Sequence, residues 1–385
     1  MSNNLSTILD SDGGRLAVRE YLDEVFLERK EEQGVLANTA YAMPKAIPDH
    51  KGQYIEMTRK DHLRRPQNMP SPGGSGSDPL SGAVLGGEKV KVPLEFIHEF
   101  LKIGTVANMT SWIDLEEWAE HDLPEALRKR RHEKMQNALV VGRMKPGVYD
   151  ANGDLSTAFD AEAEATVTLY GFSWTFQPAA VSYAGGADTW DDMVTDGNKL
   201  TWDDLKRKRV QLSLSGAPKI NGKYVCVLSD AGMYDLLSDG EMGEAFGKAM
   251  QGGSKPLIKG VEDQWIASFA GWHFVEDDHP FTMDSAGGEE KRAEWGDYHA
   301  AFCFGGSSFG SFHLGGYGKG KPKFKVQDIT LTGYEKSIGY LVPDQEAVVN
   351  PNWCAVIKHA VTVSKPNNYS ADNKQLAGFE LPSAV

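Results

Sequence analysis

Apolar positions recur along this chain with two different periods. Near the start, Val18, Tyr21, Leu22, Val25 and Phe26 fall at i, i+3, i+4, i+7 and i+8, the spacing of one helical face. Arg19, Glu20, Asp23, Glu24 and Glu28 occupy the opposite face, and Gly34 is a natural stop. This predicts an amphipathic helix opening near Asp12, whose stripe must be buried against something. The period then changes to two. Gln53 to Lys60 reads as a strand, and Val90, Val92, Leu94 and Phe96 alternate with Lys89, Lys91 and Glu95. Pro93 marks the second strand as an edge. Between them, residues 66 to 87 are rich in Gly, Pro and Ser and offer little to bury. The expectation is a long two-stranded arm with a polar tip. An isolated hairpin is marginal in water, and this one has a one-sided apolar face with no partner of its own. Val18, Leu22, Val25, Phe26, Val90, Val92, Leu94 and Phe96 are therefore the candidate contacts with a neighbouring subunit.

Helical periodicity returns after Asp114, a capping residue with Glu117 three positions on. Leu123, Leu127, Met135 and Leu139 carry it forward, and Pro124 is expected either to kink this helix or to open a second one. Residues 145 to 200 are Gly-, Asp- and Thr-rich, with a strand-like TVTLYGFSWTF inside. Thr201 caps a short helix running to Leu214. GKYVCVLSDAGMYDLLSD reads as a buried strand entering a helix capped by Ser229 or Asp230. WIASFAGWHFVEDDHPF reads as one further buried strand ending in an exposed acidic turn, and HAAFCFGG as another. Residues 281 to 298 read as loop. PKFKVQDITLT and CAVIKHAVTV alternate as late strands before a polar tail. No internal repeat is visible. Helices and strands are segregated along the chain, which is an α+β pattern.

Composition narrows the class. A chain of 385 residues with 41% hydrophobic content can build a large core, and its net charge is −14. Tight duplex-DNA binding scales with the number of phosphates that Lys and Arg neutralise. An acidic chain of this kind is not expected to grip nucleic acid tightly. The run RKRRHEK, Arg128 to Lys134, is the exception, and a helix face paired with acidic neighbours explains it more simply than a nucleic-acid patch. Cys226, Cys303 and Cys354 lie far apart in apolar stretches, as free thiols made in a reducing compartment do. The first residues have neither a basic leader nor an apolar core, so no signal peptide is expected, and no apolar stretch reaches the length of a membrane span.

The candidate chemistry is thin. GGYGKGK, Gly315 to Lys321, matches a phosphate-loop spacing, but Pro322 and a strand pattern follow where Ser or Thr and a helix are needed. Carboxylate doublets such as Asp191-Asp192 and Asp203-Asp204 sit on single segments and do not face one another across a cleft. Glu117 and His121 are one helical turn apart with no third ligand in view. Glu276, Asp277, Asp278 and His279 could hold a cation only loosely. No catalytic residue, cofactor or metal site is expected.

Taken in order, the segments resemble the Hong Kong 97-like fold of tailed-bacteriophage major capsid proteins, and most nearly the group of the coliphage N-four capsid protein. The resemblance rests on Pro44-Lys45, Gly52, Tyr54 to Arg59 and Leu63; on Asp235-Leu236 and Asp239 after the buried strand; and on Ala270-Gly271 with Phe274-Val275-Glu276. FGGSSFGSFHLGG and YEKSIGYLV…NPNWCAVIKHA complete it. It implies an N-terminal arm (1–48), an extended loop (49–103), a peripheral domain with a spine helix (104–198 and 322–366), an axial domain (199–321) and a C-terminal tail (367–385). It further implies a non-enzymatic shell subunit, assembled in the host bacterial cytoplasm and residing in the virion head. Its partners would be further copies in hexamers and pentamers, a portal protein, and in some phages a decoration protein. So few residues precede the first helix that a separate scaffolding protein is expected. Rival readings are an encapsulin-type nanocompartment shell of the same fold and a soluble hydrolase.

Overall fold

The computed structural model describes residues 35–37, 43–47, 54–60, 87–104, 115–142, 166–169, 172–239, 265–285, 288, 293, 296–314, 324–328 and 335–364. The expected N-terminal helix with Val18, Leu22, Val25 and Phe26, the Gly/Pro/Ser tip, the glycine-rich stretch at 315–321 and the tail lie outside them. Strands Met43–Ile47 (β1), Tyr54–Lys60 (β2), Gly87–Pro93 (β3) and Glu95–Gly104 (β4) precede the helix Leu115–Val140 (α1). This helix runs unbroken through Pro124, so no second helix opens there. Thr166–Leu169 (β5) and Phe172–Thr175 (β6) form a hairpin, followed by strand Ala180–Tyr183 (β7). Helix Trp190–Asp196 (α2) starts at Thr189, whose hydroxyl accepts from the Asp192 N–H. Helix Trp202–Leu214 (α3) has a full capping box between Thr201 and Asp204. Strand Tyr224–Ser229 (β8) runs straight into helix Asp230–Ser238 (α4), with Ser229 as the cap.

Next come Trp265–Phe269 (β9), Trp272–Asp277 (β10), Thr282–Met283 (β11), Tyr298–Phe304 (β12), Phe309–Leu314 (β13), Phe324–Asp328 (β14), Glu335–Val348 (β15) and Cys354–Ala360 (β16). The single strand expected across WIASFAGWHFVEDD is thus a hairpin. Ala270 and Gly271 both have positive φ, 47° and 89°, the signature of a tight two-residue turn. The positive φ of Gly271 favours glycine, and a Cβ there would also push aside the exposed Arg209 side chain, whose Nε would lie 2.5 Å away.

Two larger sheets organise the chain. Seven strands form one, in the order β7-β16-β12-β8-β10-β9 with β11 beside β12. It is buried on both faces, which is why its strands read as unbroken apolar runs. Val225, Val227, Val275, Phe302 and Val356 pack on one side with Met135 and Leu139 of α1. Tyr224, Cys226, Leu228, Phe274 and Ile357 pack on the other with α3 and α4. The second sheet has β1, β13, β15 and β14 in order, with β4 paired to β15 over ten residues, Glu95 to Gly104. Sheet membership crosses the expected domain boundaries. β16 joins the seven-stranded sheet, and β13 joins the five-stranded one.

The arm also differs from expectation. Only β2 and β3 form a two-stranded ribbon of their own, in the register Ile55↔Val92, and from Glu95 onward the chain belongs to the five-stranded sheet. Val92 and Leu94 are buried with Ile55, Trp174, Phe176, Phe312 and Ala347 of the same chain, with Val90 partly buried beside them. The apolar face therefore has its own partner, supplied by the β5–β6 hairpin and the sheet. Phe96 is the exception and is 61% exposed.

Candidate functional site

The densest polar arrangement lies on the C-terminal half of α1, where a helix between two sheets must satisfy polar groups on both sides. Toward the five-stranded sheet, Arg131 Nε donates to Asp344 Oδ2 at 2.5 Å. Lys134 Nζ lies 3.3 Å from Glu346 Oε2 and 3.9 Å from Glu95 Oε2. Asp344 and Glu346 are two residues apart on β15, so both project from the face that α1 covers. Burial pushes the Glu346 carboxyl up to about 7; Asp344 adds to the rise, and Lys134 and Arg131 oppose it. His313, opposite Asp344 in the sheet register, is pushed down chiefly by burial, with Asp344 pulling the other way and Arg131 adding to the fall.

On its other side, α1 grips the end of β10. Gln136 Nε2 donates to Asp277 Oδ2 at 2.9 Å and to the His279 carbonyl at 2.7 Å. His132 Nε2 faces the Asp277 carboxylate at 3.0 Å, and the His279 N–H donates to Asp277 Oδ1 at 3.1 Å. His279 Nε2 reaches back to Glu133 Oε1 at 3.1 Å. Burial pushes Asp277 up, but the field of His132 and the hydrogen bonds from His132, His279 and Gln136 together leave it below the usual carboxylate range. The acidic turn read as exposed is in truth a rivet. Asp277 is 2% exposed. Sequence reasoning missed it because its partners lie more than a hundred residues earlier, and only the basic run RKRRHEK hinted at acids to match.

A second buried group holds two histidines on paired strands, His299↔His359. Ser229 Oγ accepts from Gly232 N–H and lies 2.7 Å from His299 Nδ1. A serine beside a histidine at a strand-to-helix turn has the residue types of nucleophilic catalysis. Here both side chains are buried in the core, and the hydroxyl serves as the cap of α4. Among the described residues no group of three or more His, Cys, Asp or Glu is placed to hold a metal ion. Cys226 and Cys303 sit with their Sγ atoms 3.6 Å apart, buried and free like Cys354. Among the described residues, no helix is long and apolar enough to cross a membrane.

These arrangements are devices for holding two sheets and a long helix in one geometry. Of the eight contact candidates, Val18, Leu22, Val25 and Phe26 fall outside the described residues, Val90, Val92 and Leu94 pack within the chain, and Phe96 faces outward. No family model matches the chain, and no curated protein matches it. Solved structures do. The capsid of Ralstonia phage GP4 superposes with a TM-score of 0.62 at 14% identity, over 91% of this chain and 97% of that one. This chain has a phage-capsid fold. The capsid structure of cyanophage P-SCSP1u matches with a TM-score of 0.54 at 13% identity, covering 90% of this chain and 94% of that one. The capsid asymmetric unit of cyanophage Pam1 gives 0.54 at 13% identity, with 89% and 96% covered. Identity this low leaves the capsid fold as the common property, and the shared length runs nearly end to end.

Proposed function

We propose that this chain is the major capsid protein of a tailed double-stranded DNA bacteriophage, a non-enzymatic subunit that assembles with its own copies into the icosahedral head. The observation that carries the reading is the end-to-end match to phage capsid subunits, over about nine-tenths of both chains. A shell subunit must hold its shape under load, and a helix clamped by buried charge on both sides suits that task. Chemistry has no comparable support, since the buried Ser229–His299 pair is used as a cap. In this reading α1 is the spine helix, the β2–β3 ribbon and its tip form the extended loop, and the chain is nearest to the coliphage N-four group. A portal protein and a separate scaffolding protein complete assembly, with a decoration protein on the outer surface in some phages, and the finished subunit resides in the virion head. Sedimentation of the full chain co-expressed with its scaffold tests this. The expected result is a megadalton-class species. A monomer at every concentration, with or without the scaffold, contradicts it. Shells that enclose an enzyme in place of DNA in the source organism would favour the nanocompartment reading.

A further inference from the structure

We infer that the outward face of α3 is a contact between neighbouring copies of this chain, received by the acidic helix α2 of the next copy. The inference rests on the shell reading above and adds the surface by which copies join. α3 buries Leu205 and Leu212 against the seven-stranded sheet and leaves Val210 and Leu214 57% and 83% exposed. These two are one helical turn apart and share a face. Lys206 lies a turn earlier on the same stripe, and Arg209 flanks it; both are exposed. The Arg209 side chain passes close to the turn at Gly271.

Single exposed aliphatic residues are ordinary. Two in succession on one stripe, bordered by exposed Lys206 and Arg209 in a chain of net charge −14, make a patch whose complement is acidic; Lys208 is buried toward the core and Arg207 is paired with Asp203 of the same helix. α2 and its lead-in supply that complement. Asp188, Asp191, Asp192 and Asp196 are all exposed, and no Lys or Arg stands between 188 and 198. Among the described residues, none of these four forms an ion pair with a cation of its own chain. The two patches are different parts of one surface, so each copy gives one and receives the other. Contacts of this unlike-faced kind close into rings when the rotation permits, as a hexamer or pentamer requires. Charge complementarity sets orientation and register, while burial of Val210 and Leu214 supplies attraction.

The test uses the full chain under the assembly conditions above. Val210→Asp/Leu214→Asp is expected to melt cooperatively like the parent and to yield at least about tenfold fewer shells, since two buried aliphatic side chains are lost from each contact. Asp191→Lys/Asp196→Lys is expected to lose assembly as well, and adding Lys206→Glu/Arg209→Glu in the same chain should restore it. Normal shells from Val210→Asp/Leu214→Asp overturn the inference and leave the shell reading standing. A parent chain that never assembles overturns the shell reading itself. Should the aspartate variant fail to fold, the charge swap decides: assembly recovered in the four-residue variant supports the contact, and its absence overturns it.

Discussion

His299 and His359 stand on adjacent strands inside the core, where an imidazolium has no water to solvate it. Burial first, and for His299 the neighbouring imidazole second, push their pKa values down to about 3 and about 4. Both values lie below those of the unfolded chain. Their contribution to stability is therefore complete above about pH 6.5 and is lost as the pH falls toward 4. Glu346 acts in the opposite sense. Its folded value near 7 lies above that of an unfolded carboxyl, so its contribution is present below about pH 4.5 and is lost as the pH rises through 7. The histidines are best read in a Glu346→Gln background. There the urea midpoint is expected to fall between pH 7 and pH 4 by an amount equivalent to roughly 6 kcal/mol, about 3 kcal/mol from each histidine; a flat profile contradicts the assignment. Burial likewise pushes the Cys354 thiol up to about 12 and the Cys226 thiol well above its usual value. A thiolate-seeking reagent should modify both only as the chain unfolds, and rapid labelling of the native protein counts against a buried site. The cysteines were legible in the sequence because each sits in an apolar run. The histidines were not, since a single His in a strand carries no sign of which neighbour it will face.

At the scale of elements, α1 is fixed by buried charge on one side and by a hydrogen-bonded carboxylate on the other. Removing one partner of a buried pair strands the second. Arg131→Met, which leaves Asp344 enclosed, is expected to cost roughly 3–5 kcal/mol. Glu346→Gln should do the reverse above pH 7, where the parent must ionise a buried acid. A stability gain of roughly 2–3 kcal/mol at pH 8 that vanishes at pH 4.5 is the expected signature in paired urea titrations. Equal effects at both pH values would show that Glu346 is not the titrating group. Local signals announced several elements correctly. The Thr201–Asp204 capping box, the Ser229 cap and the apolar run Tyr224 to Ser229 each act within a few residues, and each element forms as its sequence directs. Elements fixed by distant partners were harder to see. The alternation Val90-Val92-Leu94-Phe96 spans the break between β3 and β4, which belong to different sheets. Val92 and Leu94 meet Trp174 and Phe176, residues far along the chain. The turn at Ala270-Gly271 was hidden inside an apolar stretch that reads equally well as one strand.

For the whole molecule, the sheets and the long helix account for most of the described chain. Phe96 and the β2–β3 ribbon remain the candidates for contact through the extended loop, beside the α3 face. Deleting residues 66–86 is expected to leave a subunit with the parent's melting temperature whose shells fail at lower temperature. Shells of normal heat resistance would remove the loop from the list of contacts. The capsid fold itself was legible through the order of weak motifs, and the superposition on phage capsids supports that fold. Which strands share a sheet was not, because β13 pairs with β1 and β15, and β16 with β12 and β7, across long stretches of chain. The central claim is that copies of this chain close into a shell, and cryo-electron microscopy of the assembled full-length protein tests it most directly. Closed icosahedral particles are expected, whose repeated density accepts the two sheets and α1, with α3 of each copy against α2 of the next. Dispersed single subunits, or particles whose density does not accept this fold, would contradict it.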